Sequence, residues 1–379
     1  MPDTDRRLKK RGSKNGRAVW SAILPLPRDA NGRRRQHRFT FIGNKKDAQK
    51  ALVAEEAAIG CGNYVERDRT TFGQYITAFL AGSKAHYAPK TQERFEGIAR
   101  LHVIPKLGDV PLQKLSASNL NAAYAEWGAA EYSATTVLHH HRFVHIVLAQ
   151  ALRESRVQQN VAAVARKPKL TRREMRFLSD EELAKLLATA SGTPLEAIVT
   201  VGLASGARLG ELCGAKWDDL DARRGTLSIR RSLQQTKAGV SEKPPKSGKA
   251  RIITLPESAS EALRRHRIAQ ARLGPGYIFA YDDAGNPWAP YTLSKRFSAL
   301  ASGAGLQGVT FHTMRHTHAS QLLAAGVHPK VVQERLGHST IAITMDLYSH
   351  VSEGLQAEAA VKLDAVLRPV LASVSGSGA

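Results

Sequence analysis

Cysteine is nearly absent from this chain, which has only Cys61 and Cys213 among its 379 residues. Two isolated thiols are too few for a disulfide framework or a cysteine-rich zinc site. Cys213 follows an apolar residue and is expected in the core, whereas Cys61 lies between two glycines and is expected in a loop. The sequence also lacks a Gly-rich nucleotide-binding loop and a carboxylate-rich metal motif, so no cofactor and no metal are predicted.

Long apolar segments are missing as well. No apolar run reaches the length of about 18 residues that a membrane-spanning helix requires. Residues 1–5 are polar and lack the apolar stretch of a signal peptide. The sequence therefore predicts a cytosolic protein that makes no contact with a membrane.

Acidic residues are scarce relative to basic ones. The chain has 55 Lys and Arg against 33 Asp and Glu, which gives a formal net charge of +22. Such an excess repels itself in a compact chain and suits a polyanionic partner. Nucleic acid is favoured over an anionic membrane because no long basic amphipathic helix is present.

The pattern of residues 1–65 indicates a small, strongly basic α+β module. Residues 17–24 and 33–41 have the pattern of two strands, and residues 45–59 have the composition of a helix. A disordered basic tail is the alternative, but the module contains aromatic residues that an ordered structure could bury. The side chains of this module expected to contact nucleic acid are Arg33, Arg34, Arg35, Lys45 and Lys46.

Residues 70–165 predict an all-helical domain. Four helices are expected: one opened by residues 71–75, one that starts at Pro89, one whose N-cap is supplied by residues 115–120, and one that follows residues 133–136. The polar, basic residues 166–176 then predict a linker.

Four histidines lie on the last helix of this domain, at His139, His140, His141 and His145. Successive helical residues point in different directions, so one metal ion cannot collect three of them. His141 and His145 share a helix face, but no acidic or thiol partner accompanies them. A DNA-facing or mixed helix surface is therefore predicted in place of a metal site.

Residues 177–368 predict the largest domain, mainly helical with a small sheet. Ser179 opens it with a capping box. Strands are predicted over residues 226–230 and 251–256, and the residues between them have the composition of a connecting segment. Residues 369–379 predict a flexible tail.

Three clusters of reactive side chains lie in this last domain. Arg208 stands at a predicted helix start with Glu211 one turn later, where the two can pair. His312 and Arg315 are also one turn apart. His338 follows a glycine and precedes Tyr348 by ten residues.

Each cluster alone has an ordinary structural interpretation. Arg208 and Glu211 can be a helix-stabilising ion pair, and either histidine can be a capping or core residue. Together, however, the clusters offer two permanent cations for phosphate oxygens, imidazoles that exchange protons near neutral pH, and a tyrosine nucleophile. Their joint occurrence favours phosphodiester chemistry.

These clusters resemble the motifs of the tyrosine recombinase (phage integrase) family. The matching stretches are residues 205–212, 312–320 and 336–351. The resemblance covers residues 177–365 and implies a mixed, mainly α catalytic domain. It is weaker over residues 70–165, which look like the family's core-DNA-binding domain. It is weakest over residues 1–65, which look like the arm-DNA-binding module of many phage integrases.

The resemblance implies a site-specific recombinase that cuts and rejoins double-stranded DNA through a 3′-phosphotyrosine, for integration or excision of phage or mobile-element DNA. Such a protein would work in the bacterial cytoplasm, at the nucleoid. A covalent link keeps the energy of the broken bond, so rejoining needs no ATP. The family also implies a tetramer on two attachment sites and exchange through a Holliday junction, with accessory DNA-bending proteins as further candidate partners.

Carried onto this sequence, the family's catalytic residues are Arg208, Lys246, His312, Arg315, His338 and Tyr348, with Glu211 supporting them. Lys246 would protonate the leaving 5′ oxygen; Lys237, Lys243 and Lys249 are alternatives. The family usually has Asp-Leu between the histidine and arginine of the second cluster. This chain has Thr313-Met314 there, which removes an acidic neighbour.

Several interpretations stay open beside this one. A type IB topoisomerase has similar chemistry, and a catalytically inactive DNA-binding protein could keep the same fold. His316 and His318 are expected to be structural or to support the site. The segment beyond Tyr348 is expected to dock on a neighbouring subunit through Val361, Leu363, Val366 and Leu367.

Overall fold

The computed structural model describes residues 7–26, 32–60, 65, 68–170, 175–245, 248–270, 276–348, 360–361, 363–369 and 371. The chain divides into two compact units, an N-terminal unit (Met1–Thr171) and a C-terminal unit (Arg172–Ala379). The predicted class, mainly helical with small antiparallel sheets, is confirmed. Across the described helices, none combines the length and hydropathy that a transmembrane span needs.

The N-terminal unit begins with a three-stranded antiparallel sheet in the order β1-β2-β3 and one helix that packs against it. The elements are β1 (Lys9–Lys14), β2 (Arg17–Leu26), β3 (Arg35–Ile42) and α1 (Lys45–Gly60). Leu24, Phe39 and Leu52 form part of their shared core. The two predicted strands and the helix are confirmed. Strand β1 was missed because all of its residues are exposed and show no apolar alternation.

The rest of the described N-terminal unit is helical around a second apolar core. Its elements are α2 (Phe72–Gly82), α3 (Pro89–Ile98), a π-helical turn (Ala99–Val103), α4 (Ile104–Leu107), α5 (Ala117–Ala129) and α6 (Ala134–Arg153). Thr71 and Ser116 form the capping boxes of α2 and α5, and Ser133 caps α6. The helix starts expected near these three residues are confirmed, as is the N-cap expected within residues 115–120.

The histidines of α6 do not form the surface that the sequence suggested. His140 and His141 are only 1% and 3% exposed. The ring of His140 stacks on His102 and meets the edge of Trp127, while Nδ1 of His141 lies 2.9 Å from the hydroxyl of Tyr124. The prediction of a DNA-facing or mixed surface was therefore wrong for these two residues, because aromatic neighbours from other helices enclose them.

The described part of the C-terminal unit packs eight helices and two small sheets around two apolar cores, a large one and a smaller one. The helices are α7 (Asp180–Ala190), α8 (Glu196–Ser205), α9 (Leu209–Cys213), α10 (Glu257–Ala269), α11 (Pro290–Gly303), α12 (Phe311–Ala324), α13 (Pro329–Leu336) and α14 (Ile341–Tyr348). Cys213 is fully buried, as expected, whereas Cys61 lies outside the described residues.

One sheet of the C-terminal unit has the strand order β4-β5-β8, and the other is the hairpin β6-β7. The strands are β4 (Leu220–Asp221), β5 (Thr226–Ile229), β6 (Ser232–Thr236), β7 (Gly239–Lys243) and β8 (Arg251–Thr254). The two predicted strands correspond to β5 and β8. The hairpin β6-β7 was missed, since its Lys-, Gly- and Ser-rich sequence has the composition of a loop.

The predicted flexible tail falls almost entirely outside the described residues, which include only 369 and 371 of it. The four apolar residues expected to dock on a neighbour are described. Their side chains are between 44% and 70% exposed, and they are Val361, Leu363, Val366 and Leu367.

Candidate active site

Arg208 is placed by two glycines that allow close packing around the start of α9. Gly206 ends α8 in the left-handed region at φ 61°, and a Cβ atom there would lie 2.6 Å from His318 and from Leu336. A Cβ on Gly210 would lie 2.5 Å from the carbonyl oxygen of Leu233. Only glycine fits these two positions, so the sequence around Arg208 is constrained by packing as well as by chemistry.

Glu211 is the acid that holds this arginine. One carboxylate oxygen accepts the backbone N–H of Arg208 at 2.9 Å, and the other accepts its Nη1 at 2.9 Å. The predicted pairing is therefore present. Glu211 is only 1% exposed, so its charge needs further partners.

Arg251, at the start of β8, supplies the second partner. Its Nη2 and Nη1 donate to the two oxygens of Glu211 at 2.7 and 3.1 Å. Burial raises the pKa of Glu211, but the hydrogen bond and charge of Arg251, together with Arg208, outweigh burial and leave the pKa lowered. Glu211 is thus a carboxylate at neutral pH. Arg251 could not be recognised from the sequence because 40 residues separate it from Glu211.

The C-terminal end of α13 is where three arginines converge. Its last carbonyl groups have no partners within the helix and carry the negative end of the helix dipole. Arg251 Nε donates to the carbonyl of Arg335 at 2.8 Å, Arg315 Nη2 to that of Leu336 at 2.8 Å, and Arg208 Nη2 to that of Gly337 at 2.9 Å. Three consecutive carbonyls therefore fix three guanidinium planes.

Arg315 on α12 is the most deeply buried of the three, at 3% exposed. Its Nη1 also donates to the carbonyl of Gly206 at 2.7 Å, so the C-terminal ends of two helices, α8 and α13, hold this guanidinium. Burial and then the charge of Arg208 lower the pKa of Arg315 to about 9, which still leaves it protonated at neutral pH. Two neighbouring cations that destabilise each other favour an anion between them.

Arg208 and Arg315 open onto one cleft of about 390 Å³. His312 and Lys243 also line this cleft. His312 is exposed, and its ring meets that of His316 edge-on at 4.4 Å between centroids. The structure therefore brings together three of the predicted site residues, and it adds Lys243, which was one of the alternatives for the lysine.

His338 lies beside these arginines, directly after the left-handed Gly337 that ends α13. Its Nδ1 is 2.9 Å from the hydroxyl of Thr344 on α14. Burial, followed by the charges of Arg315 and Arg208, lowers the pKa of His338 to about 3. The imidazole is therefore neutral at physiological pH and can offer one donor and one acceptor.

The remaining predicted residues are placed less completely. Tyr348 is the last residue of α14, and its side chain is outside the described part of the structure. Lys246 also lies outside the described residues. His318 is buried and its Nε2 accepts from Arg335 Nε at 3.1 Å, which ties it to the packing around α13. Burial, then His312 and Arg315, lower the pKa of His316 to about 4.

The five basic residues selected in the N-terminal unit are all exposed. They flank or begin β3 and begin α1, and they are Arg33, Arg34, Arg35, Lys45 and Lys46. Among the described residues, no group of three or more metal-binding side chains comes together.

Comparison with known proteins identifies the family. The model of the phage integrase family matches residues 176–354, and the model of the phage integrase N-terminal SAM-like domain matches residues 71–128. The chain belongs to the phage integrase family of tyrosine recombinases. The resemblance drawn from the three sequence clusters is thereby confirmed.

Curated relatives in this family match most of the chain. A tyrosine recombinase XerC-like protein of Caldanaerobacter subterraneus is 26% identical, over 89% of this chain and 94% of its own length. The ICEBs1 integrase of Bacillus subtilis is 23% identical, over 78% of this chain and 83% of its own.

Solved structures share the family fold. The Tn1549 transposon integrase in complex with circular-intermediate DNA superposes with a TM-score of 0.66 at 20% identity, covering 74% of this chain and 95% of that one. A lambda integrase tetramer bound to a Holliday junction gives a TM-score of 0.58 at 20% identity, covering 92% and 96%. At this level of identity the two likenesses establish the fold alone.

Proposed function

We propose that this chain is a site-specific recombinase that cleaves and rejoins duplex DNA through a 3′-phosphotyrosine at Tyr348, for the integration or excision of mobile-element DNA. Family membership supports the reaction type. The observation that carries the assignment to these residues is the convergence of Arg208, Arg315 and His338 on the C-terminal end of α13, beside the helix that ends at Tyr348.

Arg208 and Arg315 are the phosphate-binding groups of this proposal. Carbonyl groups and Glu211 hold part of each guanidinium, so the plane of each is fixed before DNA arrives. The other N–H groups can meet the non-bridging oxygens, where negative charge grows in the transition state. Fixed donors need no reorganisation at that moment, which is why buried arginines suit the role better than flexible surface lysines.

The proton transfers involve the imidazoles of His312 and His338 and a lysine. The Tyr348 oxygen attacks phosphorus while its proton passes to His312 or His338, and the bond from phosphorus to the 5′ oxygen breaks. The 5′ oxygen leaves as a hydroxyl after it receives a proton from Lys246. In the reverse direction a 5′ hydroxyl attacks the phosphotyrosine, so the cycle balances without ATP.

Lys246 keeps its assignment from the family motif, although Lys243 lines the described cleft with the arginines. A DNA substrate with sulfur in place of the 5′ bridging oxygen separates the two, because a thiolate leaves without a proton. The sulfur should restore cleavage to Lys246→Ala but not to Arg315→Lys. If the sulfur restored cleavage only to Lys243→Ala, Lys243 would be the proton donor to the 5′ oxygen. Alanine variants of Lys237 and Lys249 test the other two candidates in the same way.

The DNA contacts are assigned by region. We infer that residues 1–65 bind arm sites through Arg33, Arg34, Arg35, Lys45 and Lys46, and that residues 70–165 and 177–368 bind the core site. The lambda integrase relatives are described as dimers and tetramers on DNA, which supports a tetramer here. Docking of the C-terminal segment on a neighbour, accessory bending proteins and action at the bacterial nucleoid belong to the same proposal.

The experiment that tests the reaction is a denaturing gel with a nicked suicide DNA carrying the attachment site, without metal or ATP. Wild type should form a covalent protein–DNA band, whereas Tyr348→Phe should bind the DNA and form none. A covalent band from Tyr348→Phe would refute the nucleophile. Binding without a band in wild type, across all candidate sites, would favour an inactive DNA-binding protein.

A further inference from the structure

A buried threonine joins the histidine of the site to the helix of the nucleophile. Thr344 is fully buried on α14, at 0% exposed. Its hydroxyl lies 2.9 Å from Nδ1 of His338, which precedes that helix. Tyr348 follows Thr344 by one helical turn, so the two positions lie on the same face of α14.

Other buried threonines of the unit use their hydroxyls differently. The hydroxyl of Thr317 donates to the carbonyl of Thr313 and accepts from the backbone N–H of Leu178. Thr313 interacts with Thr310 in the capping box of α12. These are local or backbone bonds, whereas Thr344 meets an imidazole that lies beside the arginines.

The contact decides which ring nitrogen of His338 can react. With Nδ1 against Thr344, only Nε2 is available to a phosphate oxygen or a proton in transfer. A hydroxyl can donate or accept, so Thr344 fits either tautomer of a neutral imidazole. The same hydroxyl can therefore hold the ring both before and after a proton moves.

We propose that Thr344 is a positioning residue that fixes His338 through Nδ1 and couples the orientation of its Nε2 to the seating of the Tyr348 helix. The proposal rests on the proposed function. A hydrogen bond to a helix residue one turn before the nucleophile makes the histidine and the tyrosine move together. If α14 shifts away, the imidazole loses its partner at the same time.

The test compares side chains of nearly equal shape. Thr344→Val keeps the branched volume and removes the hydroxyl, while Thr344→Ser keeps the hydroxyl. We expect Thr344→Val to reduce the single-turnover rate of covalent adduct formation about 10- to 100-fold, because small misplacements of reacting groups have effects of this size. DNA affinity should be unchanged, and Thr344→Ser should recover most of the rate.

The matched control is Thr200→Val on α8. Its hydroxyl donates to the backbone carbonyl of Glu196 within the same helix, so the chemical change is the same but no site residue is involved. Thr200→Val should cleave at the wild-type rate. If Thr344→Val does not fold, the pair Thr344→Ser and Thr344→Ala, which differ by one oxygen atom, makes the same comparison.

A double-mutant cycle with His338→Ala separates positioning from general support of the fold. If Thr344 acts through His338, adding Thr344→Val to His338→Ala should cause no further loss of rate. The pH profile should agree: Thr344→Val should alter the acidic limb of the rate profile in the His338 background and leave it unchanged in His338→Ala. Multiplicative losses, or a wild-type rate in Thr344→Val, would overturn the proposal.

Failure of this proposal can be told apart from failure of the proposed function. Wild type must first form the covalent adduct and Tyr348→Phe must not. If wild type forms no adduct, the proposed reaction is wrong. If wild type reacts and Thr344→Val reacts equally fast, the reaction stands and only the role of Thr344 is wrong.

Discussion

The two compact units differ in the kind of polar side chain that they bury. Among the described residues, the buried carboxylates and guanidinium groups all lie in the C-terminal unit, at Glu211, Asp219 and Arg315. The buried polar residues of the N-terminal unit are uncharged serine and glutamine, together with His140 and His141. Its many described lysines and arginines stand at the surface.

This difference shows that the protein fixes the geometry of charged side chains in its C-terminal unit. A buried charge is destabilising unless partners and hydrogen bonds surround it. The C-terminal unit provides these partners around Glu211 and Arg315, and the result is a rigid set of donors at one cleft. The basic residues of the N-terminal unit are exposed, where contacts with phosphates can position the protein on a polyanion but carry no sequence information.

The largest effect on stability is expected from Glu211→Gln. The change leaves Arg208 and Arg251 without the negative charge between them, and breaking a buried pair of this kind lowers the free energy of unfolding by about 3–5 kcal/mol. Denaturant unfolding followed by fluorescence measures it. Glu261→Gln, which removes an exposed pair with Arg265, should change stability by less than about 0.5 kcal/mol. Equal losses in the two variants would contradict the comparison.

A comparable effect on the reaction is expected from Arg315→Lys. Lysine keeps the charge but loses the planar fork, so the rate of covalent adduct formation should fall about 100- to 1,000-fold while DNA affinity changes little. Single-turnover cleavage of a suicide substrate measures the rate. The control Arg264→Lys lies on the exposed face of α10 and should react like wild type. An unchanged rate in Arg315→Lys would show that the planar fork does not matter there.

A smaller effect is expected at the exposed basic residues of the N-terminal unit. Replacing Arg33, Arg34 and Arg35 together by alanine should weaken binding to arm-site DNA. It should also reduce the slope of log affinity against log salt by about 0.9 for each phosphate that the variant no longer neutralises. The matched triple replacement by lysine should keep the slope. If the alanine variant kept the wild-type slope, these residues would not bind phosphates.

The smallest effect is the pH dependence of stability that His140 causes. It tests the comparison on a buried group of the N-terminal unit. Burial, with His102 and His139, lowers the pKa of His140 to about 4 from its usual 6.5. The unfolded chain therefore binds the proton more readily, and stability should fall as the pH drops from 6.5 towards 4, by roughly 2 kcal/mol at pH 5. Above pH 6.5, His140 is neutral in both the folded and the unfolded chain and does not change the free energy of unfolding with pH.

Hydrogen exchange of α5 and α6 measures this pH dependence. His140→Phe removes the titrating group and keeps an aromatic ring beside Trp127, so protection in these helices should vary less with pH. An equally steep decline in His140→Phe would place the pH sensitivity elsewhere.

The sequence predicted what depends on neighbouring residues. The capping box at Ser179 and the Arg208–Glu211 pair both arise within a few residues, where side-chain types determine the geometry. The family motifs added the order of the catalytic clusters.

What the sequence did not reveal depends on interactions between distant segments. Arg251 reaches Glu211 across 40 residues and the carbonyl of Arg335 across 84, and nothing in its local sequence marks it. His140 was assigned to a surface because its burial is created by His102 and Trp127 on other elements. The hairpin β6-β7 was missed because its sequence shows no apolar alternation. Its two strands are defined by the hydrogen-bonded pairing between them.

The most direct test of the central claim is to locate the covalent bond by mass spectrometry of the trapped protein–DNA adduct. Trypsin and nuclease treatment should leave a nucleotide attached by its 3′ phosphate to the peptide of residues 336–362, in which Tyr348 is the only tyrosine. That result would place the nucleophile at the end of α14, beside the fixed arginines. A nucleotide on any other peptide, or attached through its 5′ phosphate, would contradict the account.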